Sequence, residues 1–231
     1  MSPSKKSSLT AKEKLRPISG FPELLPEERR VELDWIDQIR TIFESYGFTS
    51  IEPRIVEPID VLLKQGDTDK EIYTLGRLLD TPDSDREPTF GLHYDLTIPM
   101  ARYVAANMEK LDFPFKRYQI QKAWRGERPQ DGRFREFMQC DIDVVDTREV
   151  PLHFDVEIPA IMNQAIKSID AGPVLTKINN RKILEGYYSG LDMENTSEAI
   201  RLIDKVDKIG FDGVADLLKA ELRLNTKTID K

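Results

Sequence analysis

The sequence predicts an α+β fold in which an antiparallel sheet is flanked by helices. Three features predict it. Residues 115–146 alternate polar and apolar side chains on either side of a Pro-Gln-Asp-Gly turn, the pattern of a hairpin with two unlike faces. Residues 26–46 repeat apolar side chains at spacings of three and four, as an amphipathic helix does. Two further helical patterns, over 95–107 and 150–169, bracket the hairpin.

Taken in order, residues 1–16 are rich in Ser and Lys and are expected to form a disordered arm. Pro26, Glu27 and Glu28 open the first helix, with acid where the helix dipole favours it. Val31, Trp35, Ile39, Ile42 and Tyr46 form its apolar stripe, and Gly47 is the expected stop. A strand over 48–56 is expected, broken by Pro53, which cannot donate to a ladder. Residues 80–87, DTPDSDRE, are turn formers. Residues 89–94 read as a strand, and Asp95 to Pro99 as the start of a helix reaching Asn107. After the hairpin and the 150–169 helix, Gly172-Pro173 breaks the chain, 174–178 reads as a short strand, and the remainder is helical and more charged.

With 231 residues, 39% apolar and 32% charged, the chain can bury a real core. A net charge of −7 argues against a protein that coats nucleic acid indiscriminately, while leaving room for a local basic site. No run approaches 18 apolar residues, so no membrane helix is expected, and the polar, basic N-terminus has no signal-like apolar core. The single cysteine, Cys140, cannot form an internal disulfide and fits the cytoplasm. His93 and His153 match no metal-ligand spacing, and no structural metal is expected.

The chemistry concentrates on the odd-numbered face of the hairpin. Arg117, Gln119, Gln121, Arg125 and Glu127 occupy it on the first strand, and Arg133, Arg135, Phe137, Gln139, Asp141 and Asp143 on the second. A turn over Arg128-Pro129-Gln130-Asp131-Gly132 sets Arg125 opposite Arg135 and Glu127 opposite Arg133. Opposed arginines cost energy unless an anion lies between them, and guanidinium forks bind phosphate oxygens bidentately. Phe137 could stack on a base. The competing explanation is a cross-strand salt-bridge lattice facing solvent. Gln139 and Asp143 lie about 13 Å apart along an extended strand, and a small molecule with an ammonium group at one end and a polar ring at the other could bridge part of that distance; alternatively Asp141 and Asp143 pair with Arg117 or a lysine. Asp95 and Thr97 can cap the helix that follows them, or present oxygens to an ammonium group. His93 reads as structural, and Cys140 as inert packing.

These segments together resemble the N-terminal part of the histidyl-tRNA synthetase family, which are class II aminoacyl-tRNA synthetases. Gly47-Phe48, Ile51 and Pro53 after a long helix are similar to the first class II motif, and residues 125–137, RGERPQDGRFREF, to the second motif in its histidine-specific form. Residues 139–143, QCDID, continue the match; residues 92–97, LHYDLT, resemble the amino-acid-binding segment and residues 177–184, KINNRKIL, a later signature. His93 stands where the family usually has arginine.

The resemblance implies a class II synthetase-like antiparallel sheet flanked by helices, incomplete at its C-terminal side. Residues 17–184 would be a partial catalytic domain and 185–231 the start of a helical insertion domain. It implies that Arg125 is catalytic and holds the ATP α-phosphate and the histidine carboxylate. Glu127 and Arg133 would bind the nucleotide, Phe137 would stack on adenine, and Glu127 would be a possible Mg²⁺ ligand. Asp95, Thr97 and Gln139 would receive the α-amino group of histidine, and Asp143 its imidazole. ATP, Mg²⁺, histidine and tRNA(His) are the implied cofactors and partners, with a homodimer formed through the helix and strand of residues 26–56. No glycine-rich third motif, later histidine-binding segment or anticodon-binding domain follows, so the chain is expected to be an incomplete gene product or a deliberately shortened one, inactive or weak in catalysis. The rival readings are a non-catalytic histidine-binding regulatory subunit of the ATP-phosphoribosyltransferase type, and a fragment that only dimerises.

Overall fold

A computed structural model describes residues 15–63, 71–76, 89–191, 195–224 and 226–229. The arm expected over 1–16 falls almost wholly outside them, as do the 80–87 loop and the junction at 192–194.

Helix α1, Pro26–Ser45, forms where the apolar stripe predicts it, and the Glu28 carboxylate reaches back to the Leu25 N–H at 2.8 Å. The strand expected over 48–56 is instead two short ones in different sheets. β1, Thr49–Ser50, runs parallel to the hairpin, and β2, Val56–Pro58, belongs to a second sheet. Pro53 lies in the bend between them, consistent with its missing donor. A one-turn helix α2, Ile59–Leu62, then leads towards β3, Thr74–Leu75, and β4, Phe90–Leu92. The small antiparallel sheet has the order β2-β4-β3. Helix α3, Thr97–Asn107, follows directly.

The hairpin comprises β5, Phe115–Trp124, and β6, Glu136–Val145, paired antiparallel from Phe115↔Val145 to Trp124↔Glu136. The main sheet is therefore mixed, in the order β1-β5-β6. Beyond β5 the ladder continues as expected: the Arg125 N–H donates to the Arg135 carbonyl at 2.9 Å, and Gln130 and Arg133 exchange both backbone bonds around Asp131-Gly132. Gly132 sits at φ +74°, a conformation other residues rarely adopt in so tight a turn.

The even-numbered face carries the core. Phe43, Phe48, Tyr118, Ile142, Ile161 and Ala165 pack there, joining α1, the hairpin and α4, His153–Ser168. Lys116 lies 4.7 Å from the Phe48 ring centre and pairs with Glu157 at 3.0 Å, holding α4 to β5. A second cluster of Ile51, Met100 and Val104 seats α3 against the sheet. Ahead of α1, the loop around Gly20 closes on the hairpin, its carbonyl accepting the Arg135 and Glu136 N–H groups at 2.7 and 3.0 Å. A Cβ at Gly20 would lie 2.8 Å from Arg135 Cγ, and its φ of +83° also favours glycine.

The chain divides into two compact units, 1–174 and 175–231, ahead of the boundary expected after residue 184. The division follows Asp170 and Gly172, both at positive φ, and Pro173. The strand expected over 174–178 does not form: those residues have no ladder partner among the described residues. The second unit holds α5, Arg181–Ser189, α6, Thr196–Ile203, α7, Val206–Leu222, and α8, Thr226–Ile229. Asn180 and Asn195 cap α5 and α6 through their side-chain oxygens, and Gly210 breaks α7. Leu202, Val214 and Leu218 form this unit's own core.

Candidate functional site

The odd-numbered face of β5 is buried and polar, the reverse of a solvent-facing lattice. Arg117 and Gln119 are fully buried and Gln121 nearly so. They are connected in series. Arg117 Nη1 donates to Gln119 Oε1 at 3.4 Å, Gln119 Nε2 to Gln121 Oε1 at 2.6 Å, and Gln121 Nε2 to the Pro53 carbonyl at 3.1 Å. Across the ladder Arg117 faces Asp143 and donates to its Oδ2, Gln119 faces Asp141, and Gln121 faces Gln139. Gln139 Nε2 donates to both Asp141 oxygens, at 3.2 and 2.9 Å.

Burial pushes the Asp141 and Asp143 carboxyls above the ordinary aspartate range, and the Arg117 charge pulls against that shift. The same burial lowers Arg117, opposed by Asp143, Asp141 and Asp95. Three carboxylates thus surround one guanidinium. A raised folded-state pKa means that ionising Asp141 opposes folding: its contribution is favourable below the ordinary aspartate value and is lost as pH rises through the raised one. Asp141→Asn is therefore expected to raise the melting temperature at pH 7, with the gain gone by about pH 3–4. Thermal unfolding of the two proteins across that range checks it.

At the turn end, the facing arginines escape each other by turning to separate carbonyls. Arg125 Nε donates to the Tyr94 carbonyl at 3.1 Å, and Arg135 Nε to the Glu127 carbonyl at 3.1 Å. The Arg125 guanidinium lies 5.1 Å from the centre of the Phe137 ring. Arg133 and Glu127 pair at 3.4 Å in an exposed position. Burial and the neighbouring Glu127 charge raise the Glu71 carboxyl, with Arg125 opposing. The Glu71 carbonyl also accepts the Gly126 N–H at 2.7 Å.

Among the described residues, four buried side-chain atoms lack a hydrogen-bond partner: His93 Nδ1, Tyr94 Oη, Arg117 Nε and Gln139 Oε1. All four belong to the hairpin's polar face or to the segment laid beside its end. Buried polar groups are rarely left unmatched unless something else completes them.

The family profile for histidyl-tRNA synthetase matches residues 20–228. The chain belongs to that family. It is 54% identical over 202 residues to the histidine–tRNA ligase of Thermobifida fusca, covering 87% of this chain and 46% of that protein. The crystal structure of histidyl-tRNA synthetase from Nostoc sp. PCC 7120 superposes with a TM-score of 0.79 at 37% identity, over 94% of this chain and 47% of that one. A Bacillus halodurans structure described as an ATP phosphoribosyltransferase regulatory subunit/histidyl-tRNA synthetase shares the fold, with a TM-score of 0.72 at 21% identity, over 94% of this chain and 54% of that one. The chain spans about half the length of the curated relatives it matches.

Within this synthetase-family fold, the structure brings Arg125, Phe137, Gln139 and Asp143 onto one face, with Asp95 close enough to act on Arg117. Asp95 also caps α3, its Oδ1 accepting the Ile98 N–H at 3.3 Å, while Thr97 is exposed. His93 is fully buried, with Nε2 2.7 Å from the Lys122 carbonyl and its ring 5.6 Å from Trp124, so it supports the fold. Sequence reasoning offered Arg117 only as an ion-pair partner for Asp141 or Asp143, a pairing the structure shows with Asp143, and left Glu71 unnoticed. Cross-strand arithmetic from the turn would have set Arg117 opposite Asp143; nothing in the sequence around Glu71 marks it. Cys140 packs against the core cluster, and burial raises its thiol to about 11.

Proposed function

We propose that this chain carries the histidine- and ATP-binding face of a cytoplasmic histidine–tRNA ligase. The observation behind this reading is the polar face of the hairpin, buried along β5, with cation, carboxylate and the unmatched Gln139 amide oxygen at separate places along it. In this reading Arg125 holds the ATP α-phosphate and the histidine carboxylate, since a planar fork can serve two oxygens at once. Phe137 offers its free face to adenine, and Glu127 and Arg133 receive the nucleotide and its outer phosphates. Asp95, Thr97 and Gln139 take the α-ammonium group, and Asp143 the imidazole N–H. The histidine carboxylate then attacks the α-phosphorus in line, releasing pyrophosphate and giving histidyl-adenylate, from which tRNA(His) is charged.

Glu127 and Glu71 fit a Mg²⁺ that arrives with ATP, because two close carboxylates repel until a cation lies between them. Such an ion would neutralise phosphate charge.

Calorimetry of the chain with histidine and with ATP tests the proposal. Binding of both is expected. Histidine binding without ATP would mark a sensor instead, and binding of neither would sink both readings.

We propose further that the chain forms a homodimer through α1. Val31 and Trp35, 44% and 42% exposed, line a groove of about 1040 Å³ with Leu24, Phe134, Met138 and Cys140. Apolar side chains gathered in this way on a surface favour association. Trp35→Glu is expected to shift sedimentation from dimer to monomer; an unchanged distribution would refute the interface.

A further inference from the structure

Arg117 is an unusual residue for the centre of a strand. It is fully buried, yet its guanidinium uses only two of its nitrogens, Nη2 on Asp143 and Nη1 on Gln119, and leaves Nε without a partner. As a space-filler it is a poor choice, because an incompletely bonded buried cation is costly and an apolar residue would pack the site more cheaply. As a buttress it is well placed. The series Gln119, Gln121 and the Pro53 carbonyl anchors it to the backbone on one side, and the strand register aims it at Asp143 on the other.

The consequence falls on Asp143. Its Oδ2 is taken by Arg117, while Oδ1 accepts no hydrogen bond from the described residues on a side chain 37% exposed. One carboxylate oxygen is thus clamped and the other is free of any hydrogen bond from the described residues. Asp141 and Asp95 add negative charge around the same guanidinium, so the cluster holds more acid than base before any ligand arrives.

We propose that Arg117 is a positioning residue for ligand selection. It fixes the Asp143 carboxylate so that Oδ1 accepts a ring N–H from one direction only, which makes the site select an imidazole over a ring of equal size without an N–H. This deepens the histidine-binding reading above and rests on it. Arg117 does not touch the ligand; it acts through Asp143. Lysine cannot replace it, since a single ammonium on a flexible stem does not hold Asp143 and Gln119 in one plane.

The test compares L-histidine with β-(2-thienyl)alanine, whose ring lacks an N–H, by calorimetry on the full chain. The proteins are the unsubstituted chain, R117K, D143N and the R117K/D143N double variant. R117K and D143N are each expected to weaken histidine binding about ten- to a hundredfold and to leave thienylalanine binding unchanged. The double variant is expected to lose no more than either single one, because both remove the same contact. Losses that multiply in the double variant, or R117K binding histidine within about twofold of the unsubstituted chain, overturn the proposal while leaving the site reading intact. Failure of the unsubstituted chain to bind histidine overturns the site reading itself. Should R117K not fold, as judged by circular dichroism, R117Q carries the same comparison.

Discussion

Phe43→Ala is expected to destabilise the first unit by about 3–5 kcal/mol, the range for emptying an aromatic site in a packed core. Phe43 is 1% exposed on the last turn of α1, with its ring 5.9 Å from Tyr118 at an angle of 49°. It meets the hairpin, α1 and α4 at their common contact, so no single element can move in to fill the space. The neighbouring Tyr118 hydroxyl donates to Glu44 at 2.7 Å, and Tyr46 donates to Gln164 at 2.8 Å, which further restrains collapse of α1 onto the sheet. Domains are commonly stable by only about 5–15 kcal/mol, so a loss of this size removes a large share. Urea unfolding followed by tryptophan fluorescence measures it. A shift below about 1 kcal/mol would mean that the helices relax into the cavity, against the packing described.

Arg125→Ala is expected to lower ATP affinity by about a hundredfold, the equivalent of two charge-assisted hydrogen bonds to phosphate. The side chain is held from two directions. Its Nε is fixed on the Tyr94 carbonyl and its guanidinium carbon lies 5.1 Å from the centre of the Phe137 ring, while no hydrogen bond among the described residues takes its outer nitrogens. Arg125→Lys keeps the charge without the fork and should recover only part of the loss. Calorimetry with ATP separates the three proteins. Equal affinity for all of them would exclude Arg125 from nucleotide binding and leave it a role in bracing the 93–97 segment.

Much of the hairpin was legible beforehand because a period of two leaves little freedom once a turn is located. Asp131-Gly132 set the register, and the pairs Arg125 with Arg135 and Glu127 with Arg133 follow from it. The two faces were separated correctly, but which one is buried more deeply could not be read. An alternating strand of Arg, Gln and Gln looks solvent-facing until the Pro53 bend and the 93–97 segment are laid over it. The small sheet escaped for a different reason. Strands of two or three residues, such as Val56–Pro58 and Thr74–Leu75, are too short to show any period and exist only because Phe90–Leu92 lies between them. The run after Gly172, which forms no ladder, shows the converse: β-branched residues make a strand only when another strand is at hand.

The order β1-β5-β6 has a consequence for handling the protein. β6 is ten residues long and stands at the margin of its sheet, and among the described residues only the Gly20 carbonyl engages its far side, at the Glu136 end. A margin of that length is a template on which a foreign backbone can lay down a further strand. Purified alone, the chain should therefore be prone to slow, concentration-driven growth of β-rich oligomers. A short peptide that completes the ladder would act as a stopper, holding the chain in a dispersed form.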